Sequence, residues 1–301
     1  MKTHLIMLTV AGMFLCTVTA CSQQKHLTGN GRVVKKEIPI ETFEGIKLIG
    51  APATVIYRQS DKVECSVSGV ESILEVLTVK VEGNSLVIIT PNNISIKEKS
   101  ELTVNVSSPL LTDVLITGPG DVILENPLKS EKDLSLLIVG TGDIKGKAGT
   151  CRNLKVQVNG TGDITFPNLK SESAKVIVSG TGDIQLPNLQ CSSASVIVTG
   201  TGDLELPKLQ SQSVKATVCG TGNIILDGQT VEAKYEVAGT GDIDAVGLKA
   251  ANVSAAAVGQ GDISCRATQK LRARTSGMGK ISYKGNPKEL DIPQPNIRKL
   301  D

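Results

Sequence analysis

The 301-residue chain has no tryptophan, three tyrosines and three phenylalanines. So few rings weaken any case for a sugar-stacking platform. Its two histidines, His4 and His26, both lie near the start. The body therefore has no imidazole for a Ser-His-Asp triad, a general base or a zinc site. Neither sign of charge is in excess: 32 Lys and Arg stand against 30 Asp and Glu. Near-neutrality gives no electrostatic reason to expect nucleic acid or a strongly charged ligand. The mostly apolar stretch from Leu5 to Val18 is short of the roughly 20 residues that a membrane-spanning helix needs. Of seven cysteines, Cys16 and Cys21 sit in this leading region. The remaining five, Cys65, Cys151, Cys191, Cys219 and Cys265, are an odd set and a poor disulfide framework. They read as buried or half-buried thiols that behave as small apolar residues.

Residues 1–20 read as a secretory signal: Lys2, an apolar run, then Val18-Thr19-Ala20 before Cys21. Small residues followed by cysteine resemble the lipobox of bacterial lipoproteins. That resemblance implies cleavage before Cys21 and acylation of Cys21 as the lipid anchor. Residues 21–30 would be a tether. Several acyl chains hold firmly where one holds marginally, since each buried methylene contributes roughly 0.8 kcal/mol. The expected place is the bacterial outer membrane, on its periplasmic face or at the cell surface. Ser22-Gln23-Gln24-Lys25 lacks an acidic run, which mildly favours the periplasmic face.

What the chain has in abundance is one phrase, Gly-Thr-Gly-Asp-Ile or a close variant. Its first glycine falls at Gly118, Gly140, Gly160, Gly180, Gly200, Gly220, Gly239, Gly259 and Gly277, mostly 20 residues apart. A unit that short cannot bury its own apolar face, so each copy must stack on the next. Within residues 160–179, Ile164-Thr165-Phe166 and Ala174-Lys175-Val176-Ile177-Val178 alternate as half-buried strands do. Glycines on one side and Pro-Asn-Leu followed by serines on the other supply the turns.

Aligned repeats give columns. One reads Ile144, Ile164, Ile184, Leu204, Ile224, Ile243, Ile263 and Ile281. Others are Phe166, Leu186, Leu206, Leu226 and Cys265; Val158, Val178, Val198, Val218 and Val237; and Leu169, Leu189 and Leu209. Like aliphatics stacked in register predict an all-β fold: a single-stranded right-handed parallel β-helix, a solenoid with ~20-residue coils. The hand follows from the bias of parallel crossovers. A propeller blade needs about 40 residues and four strands, twice this unit. Cys151 and Cys191 share one column two coils apart, about 9.6 Å, too far for a disulfide.

Residues 118–282 form the regular repeats. Residues 31–117 lack the glycine rhythm and read as irregular N-terminal coils and a cap, with Gly83-Asn84 as a hairpin turn. Covering an open end guards against edge-to-edge aggregation. Residues 283–301, with Pro287, Pro293 and Pro295, read as the C-terminal cap. Phe43-Glu44-Gly45-Ile46, the Gly50 segment, the Gly-Thr-Gly-Asp repeats and Tyr283-Lys284-Gly285-Asn286-Pro287 together resemble the bacterial putative auto-transporter adhesin, head GIN domain family, over roughly residues 40 to 290. The resemblance implies a right-handed parallel β-helix in exported proteins, largely from Bacteroidetes. It carries no catalytic residues with it.

One column bears charge: Asp121, Asp143, Asp163, Asp183, Asp203, Asn223, Asp242 and Asp262. Stacked carboxylates ~4.8 Å apart repel by about 0.9 kcal/mol per pair even in water. Two readings offset that. In turn capping, each carboxylate accepts nearby backbone N–H groups in a glycine turn, worth roughly 1.5–3 kcal/mol. In a weak cation ladder, the column holds calcium, which needs six to eight oxygens. A glycosidase pair would need two carboxylates unlike their neighbours, and this column is uniform. The adjacent row, Thr141, Thr161, Thr181, Thr201, Thr221 and Thr240, would face outward.

The sequence thus predicts a non-enzymatic, lipid-anchored solenoid with an envelope-structural or adhesin-like role, without cofactor or resident metal. Its partners would be the membrane, through Cys21, and an envelope or extracellular ligand, with no nucleic acid. The alternative is a carbohydrate-binding or carbohydrate-active β-helix. Partner identity and oligomeric state are not encoded in any motif.

Overall fold

A computed structural model describes residues 25–27, 29, 31–91, 93–96, 102–293 and 296–301. The signal segment and Cys21 lie outside the described residues. Period-two alternation builds short strands with one buried face, and the corners between them turn the chain through three parallel sheets per coil. In the coil beginning at Asn153, residues 153–158 lie in the first sheet, 164–165 in the second and 168–170 in the third. The next coil repeats this 20 residues on, at 173–178, 184–185 and 188–190.

Register is residue for residue. In the second sheet Ile144 pairs with Ile164, Ile164 with Ile184, Ile184 with Leu204 and Leu204 with Ile224. The column runs on through Ile243, Ile263 and Ile281 to Ile297. Those from Ile144 to Ile281 are at most 1% exposed. In the first sheet Val156, Val176, Val196 and Ala216 pair in turn. In the third, Leu169, Leu189 and Leu209 do so. Burying each Ile or Leu contributes about 1.5–3 kcal/mol, and parallel stacking places like volumes over one another. Phe166, fully buried, fits because the preceding coil offers Gly146 and Gly149 beneath its ring.

Where the period departs from 20, the irregularity falls at corners. Leu206 pairs with Leu226, but Leu209 pairs with Gly228, so one residue is lost between them. The 18-residue step before Ile281 is absorbed between Ala245 and Asn252. The first two sheets keep register throughout, because a one-residue slip would turn a strand's apolar side chains to solvent.

The N-terminal region stacks in an order different from its sequence. Gly45–Ile49 lies between Ser85–Ile89 on one side and Asp113–Thr117 on the other, all parallel. Thr54–Gln59 likewise lies between Thr103–Ser108 and Asp121–Leu124. The chain lays down its second coil first, runs outward to make the end coil, then steps back over to start the regular stack. The end is covered by antiparallel strands: Glu64–Val70 on Thr103–Ser108, then Val33–Glu37 on Glu64–Val70. The hairpin of Thr78–Glu82 with Ser85–Ile89 turns at Gly83-Asn84. Gly83 has φ +60° and Asn84 does not have positive φ, which fits a turn with glycine first. A single helical turn, Glu71–Leu74, was not signalled by the sequence. At the other end Glu289–Asp291 and Ile297–Lys299 add to the first and second sheets in parallel. The tail thus continues the stack without the glycine phrase.

Candidate functional site: an aspartate ladder and a lysine face

The glycine corners carry the most regular chemistry in the molecule. Apart from Gly118, the first glycine of each phrase is not in the left-handed region. Close approach explains it instead. A Cβ on Gly160 would lie 1.8 Å from the carbonyl oxygen of Gly140, and one on Gly162 would lie 1.9 Å from that of Gly142. Turn conformation, the expectation from sequence, is therefore the lesser reason for these glycines.

At this tight corner the Thr N–H and the following Gly N–H both point at one carbonyl: Thr161 and Gly162 at Gly140, 2.9 and 3.4 Å. The next N–H, that of the Asp, bonds a side chain instead. The Asp of the preceding coil supplies it. Asp121 Oδ1 accepts from Asp143 N at 2.9 Å, Asp143 Oδ1 from Asp163 N at 3.0 Å, Asp163 Oδ1 from Asp183 N at 2.8 Å, and Asp183 Oδ1 from Asp203 N at 2.7 Å. Asp203 takes both the backbone N–H and the side-chain amide of Asn223. Asn223 Oδ1 then accepts from Asp242 N, Asp242 from Asp262 N, and Asp262 from Lys280 N. Capping by nearby N–H groups of a glycine turn does not say which coil supplies the donors. The structure places them one coil along, so the column is a strap that runs the length of the stack.

A charged acceptor on an N–H is worth roughly 1.5–3 kcal/mol, more than the ~0.9 kcal/mol of repulsion from a neighbour in water. Asn223 serves the same bond without charge. Lys145 Nζ lies 3.0 Å from Asp143 Oδ2. Its pKa is held above the ordinary lysine range, first by that hydrogen bond, then by the Asp143 charge, with Asp121 and Asp163 adding to it. No group of three or more His, Cys, Asp or Glu among the described residues is arranged to hold a metal ion. The threonines of the neighbouring row are exposed.

Of the five described thiols, none is in a disulfide. Burial pushes Cys65, Cys151 and Cys191 up to about 11 and Cys265 to about 12. They stay protonated and are poor nucleophiles. Cys219 departs from the expected pattern: it is exposed, on the corner just before Gly220. Desolvation also raises Tyr57, to about 12, although Ser108 hydrogen-bonds its hydroxyl.

The first sheet's outer surface holds a feature the sequence reading missed. Lys155, Lys175, Ser195, Lys215, Lys234, Ser254 and Arg272 occupy one register position in successive coils. Near-neutral total charge hid this, since acids line the glycine corner while lysines line this face. The signal was present: aligning the repeats one column further would have shown it. Beside the row a shallow groove of about 750 Å³ runs from Ser173 to Arg272, floored by Ala174, Ala194 and Ala233.

Comparison with known proteins places this architecture. The family model described as "Putative auto-transporter adhesin, head GIN domain" matches residues 42–228 and 193–287. No curated protein matches the chain in sequence. A crystal structure described as a "putative adhesin" from Parabacteroides distasonis is similar over 92% of this chain and 100% of its own, with a TM-score of 0.59 and 17% identity. A "Putative lipid binding protein" from the same species covers the same shares, with a TM-score of 0.51 and 22% identity. At such identities the likeness speaks for the fold alone.

Proposed function

Because the chain belongs to the family described as putative auto-transporter adhesin, head GIN domain, we propose that it is an exported, lipid-anchored contact rod of the bacterial envelope that works without catalysis. The observation that carries this reading is the register that the first two sheets keep from coil to coil. Successive regular coils present similar residue types at the same place, so the surface is extended and repetitive. Such solenoids bind along their length. A catalytic centre needs groups that differ from their neighbours, with pKa values set for proton transfer. Here the buried thiols are pushed away from reactivity, and the carboxylate column is occupied with backbone N–H groups.

Residues 21–30 are the tether in this proposal, with Cys21 as its anchor. The outer membrane is the proposed location. Two measurements on cells expressing the full chain test it. Radiolabelled palmitate should be incorporated, and Cys21→Ser should abolish incorporation and move the protein to the soluble fraction. Protease added to intact cells should digest the rod if it is displayed for adhesion. Protection until lysis would make the role periplasmic and structural. Unchanged fractionation of the Cys21→Ser protein would refute the anchor.

A further inference from the structure

We infer that the lysine face of the first sheet binds a linear acidic polysaccharide lying along the solenoid axis. The inference rests on the contact-rod reading and gives that rod a ligand class. The two charged columns differ in what offsets their repulsion. Repulsion along the aspartate ladder is offset by hydrogen bonds that hold the corner together. Repulsion along the lysine row has no such return. Lys155 stacks on Lys175, and Lys215 on Lys234, one strand spacing apart, ~4.8 Å. None of these four has an ion pair among the described residues, whereas Lys270, Arg272 and Arg274 further along are paired with Glu289 and Asp291. Like charges set side by side, without benefit to the fold, mark a surface built for an anionic partner.

The groove beside them has the other half of such a site. Ser173, Ser193 and Ser213 stack in register along it, and Asn252 follows two coils further on. Hydroxyls and amides both donate and accept, which suits sugar hydroxyls. Glu232, the one acid among the described residues lining the groove, accepts the Asn252 side-chain amide at 2.6 Å. Glu236 also faces outward from the same sheet, two residues beyond Lys234, so Glu232 and Glu236 flank Lys234 in its own strand, and the row's acid-free strands are those of Lys155, Lys175, Ser195 and Lys215. The groove crosses coils, so an extended chain fits it better than a compact ligand.

Charge spacing selects among polyanions. Duplex DNA carries one negative charge per ~1.7 Å of axis. The lysines come once per coil, with serine replacing one at Ser195, so the spacing is about 5–10 Å. That matches a polymer with one carboxylate or sulfate per sugar or per pair of sugars. Single-stranded nucleic acid would call for aromatic stacking, and the groove lining has no aromatic residue.

The test uses the detergent-solubilised full chain and alginate, a polyuronate, as the probe in titration calorimetry. Neutral dextran is the uncharged comparison. The variant Lys175→Gln/Lys215→Gln/Lys234→Gln should weaken alginate binding by about tenfold and flatten its dependence on salt. A second variant, Lys170→Gln/Lys208→Gln/Lys249→Gln, removes the same charge from the third sheet and its corner and should stay within about twofold of the parent. Circular dichroism confirms that both fold. Equal losses from the two variants would overturn the inference, as would no alginate binding by the parent. So would tighter binding to poly(dT) or to phosphatidylglycerol mixed micelles. These outcomes are independent of protease shaving and palmitate labelling, so the ligand and the anchored-rod reading can fail separately.

Discussion

Two stretches of this chain stack strands in the same sheets by different means. From Gly140 to Val218, order in space follows order in sequence, and each coil meets only the coils before and after it. From Gly45 to Thr117, the strand laid down first lies between two that come later, with partners 40 and 68 residues away. The regular stretch holds its register by local repetition: a glycine that admits the previous backbone, an aspartate that bonds the next N–H, an aliphatic beneath its copy. The N-terminal stretch keeps a buried aliphatic column, Val104, Val55 and Val122, and a glycine close to backbone, Gly120 against the Ala51 carbonyl, but lacks the aspartate rung at the equivalent corner. There the Asp121 N–H bonds the Ala53 carbonyl at 2.9 Å, and register rests on side chains that bridge coils. Gln59 alone bonds Pro109, Asn126 and Lys129. Repetition makes neighbours specify one another; an inverted order requires bespoke contacts across long loops.

Glycine substitutions should separate the two modes most sharply. Gly162→Ala puts a methyl 1.9 Å from the Gly142 carbonyl oxygen, with the preceding coil's backbone against it and no flexible end to yield. We expect a loss of at least about 3 kcal/mol, the upper end of overpacking costs, seen as a large fall in the denaturant midpoint. Gly83→Ala, in the N-terminal hairpin, meets nothing within 4 Å but has φ +60°. Its cost should be about 1–2 kcal/mol. Equal effects at the two sites would remove the distinction.

The ladder gives a smaller effect. Asp183→Ala leaves the Asp203 N–H without its 2.7 Å acceptor, a loss of roughly 1.5–3 kcal/mol, partly offset by relief of repulsion from two neighbours. A net loss of about 1 kcal/mol should appear in urea unfolding. Asp183→Asn should be close to neutral, since Asn223 already fills one rung. Equal losses for Ala and Asn would mean that the charge, and not the acceptor, matters.

The smallest effect lies where the two stretches meet. Asp113 pairs with Gly45 and Ser135, and desolvation raises its pKa above the ordinary carboxyl value, against the pull of Lys47 and Thr112. A raised folded-state pKa means that ionisation costs stability. The penalty is absent below the ordinary carboxyl range, grows as pH rises through the raised value and is complete above it. Asp113→Asn should therefore raise Tm slightly at neutral pH and leave it unchanged in acid. A lowered Tm at neutral pH would show that the carboxylate stabilises this junction.

The contrast also explains what could be read from sequence. Ile164, Ile184 and Leu204 announce their stacking because each is its neighbour's copy, and the Asp column was visible for the same reason. The direction of its hydrogen bonds was not, because a carboxylate's reach into the next coil depends on how tightly Gly160 and Gly162 draw the coils together. Around Glu64–Val70, Thr78–Glu82 and Ser85–Ile89, the Gly83-Asn84 turn was legible. Their order in space was not, since pairing between Gly45–Ile49 and Ser85–Ile89 leaves no periodic trace. The lysine face escaped because net charge sums over faces that the fold keeps apart.

Paired spin labels test the central claim, that position in the coil and not distance along the chain sets place in the stack. With Cys191 and Cys219 replaced by serine, one label goes at Glu205 and a second at Gln185, Thr165, Lys145, Ile123, Ile56 or Asn105, which occupy one register position coil by coil. Backbone separations should rise by about 4.8 Å per coil, with Ile56 at about 24 Å and Asn105 at about 29 Å, although Asn105 is the nearer in sequence. If Asn105 proved closer to Glu205 than Ile56 does, the stacking order described here would be wrong.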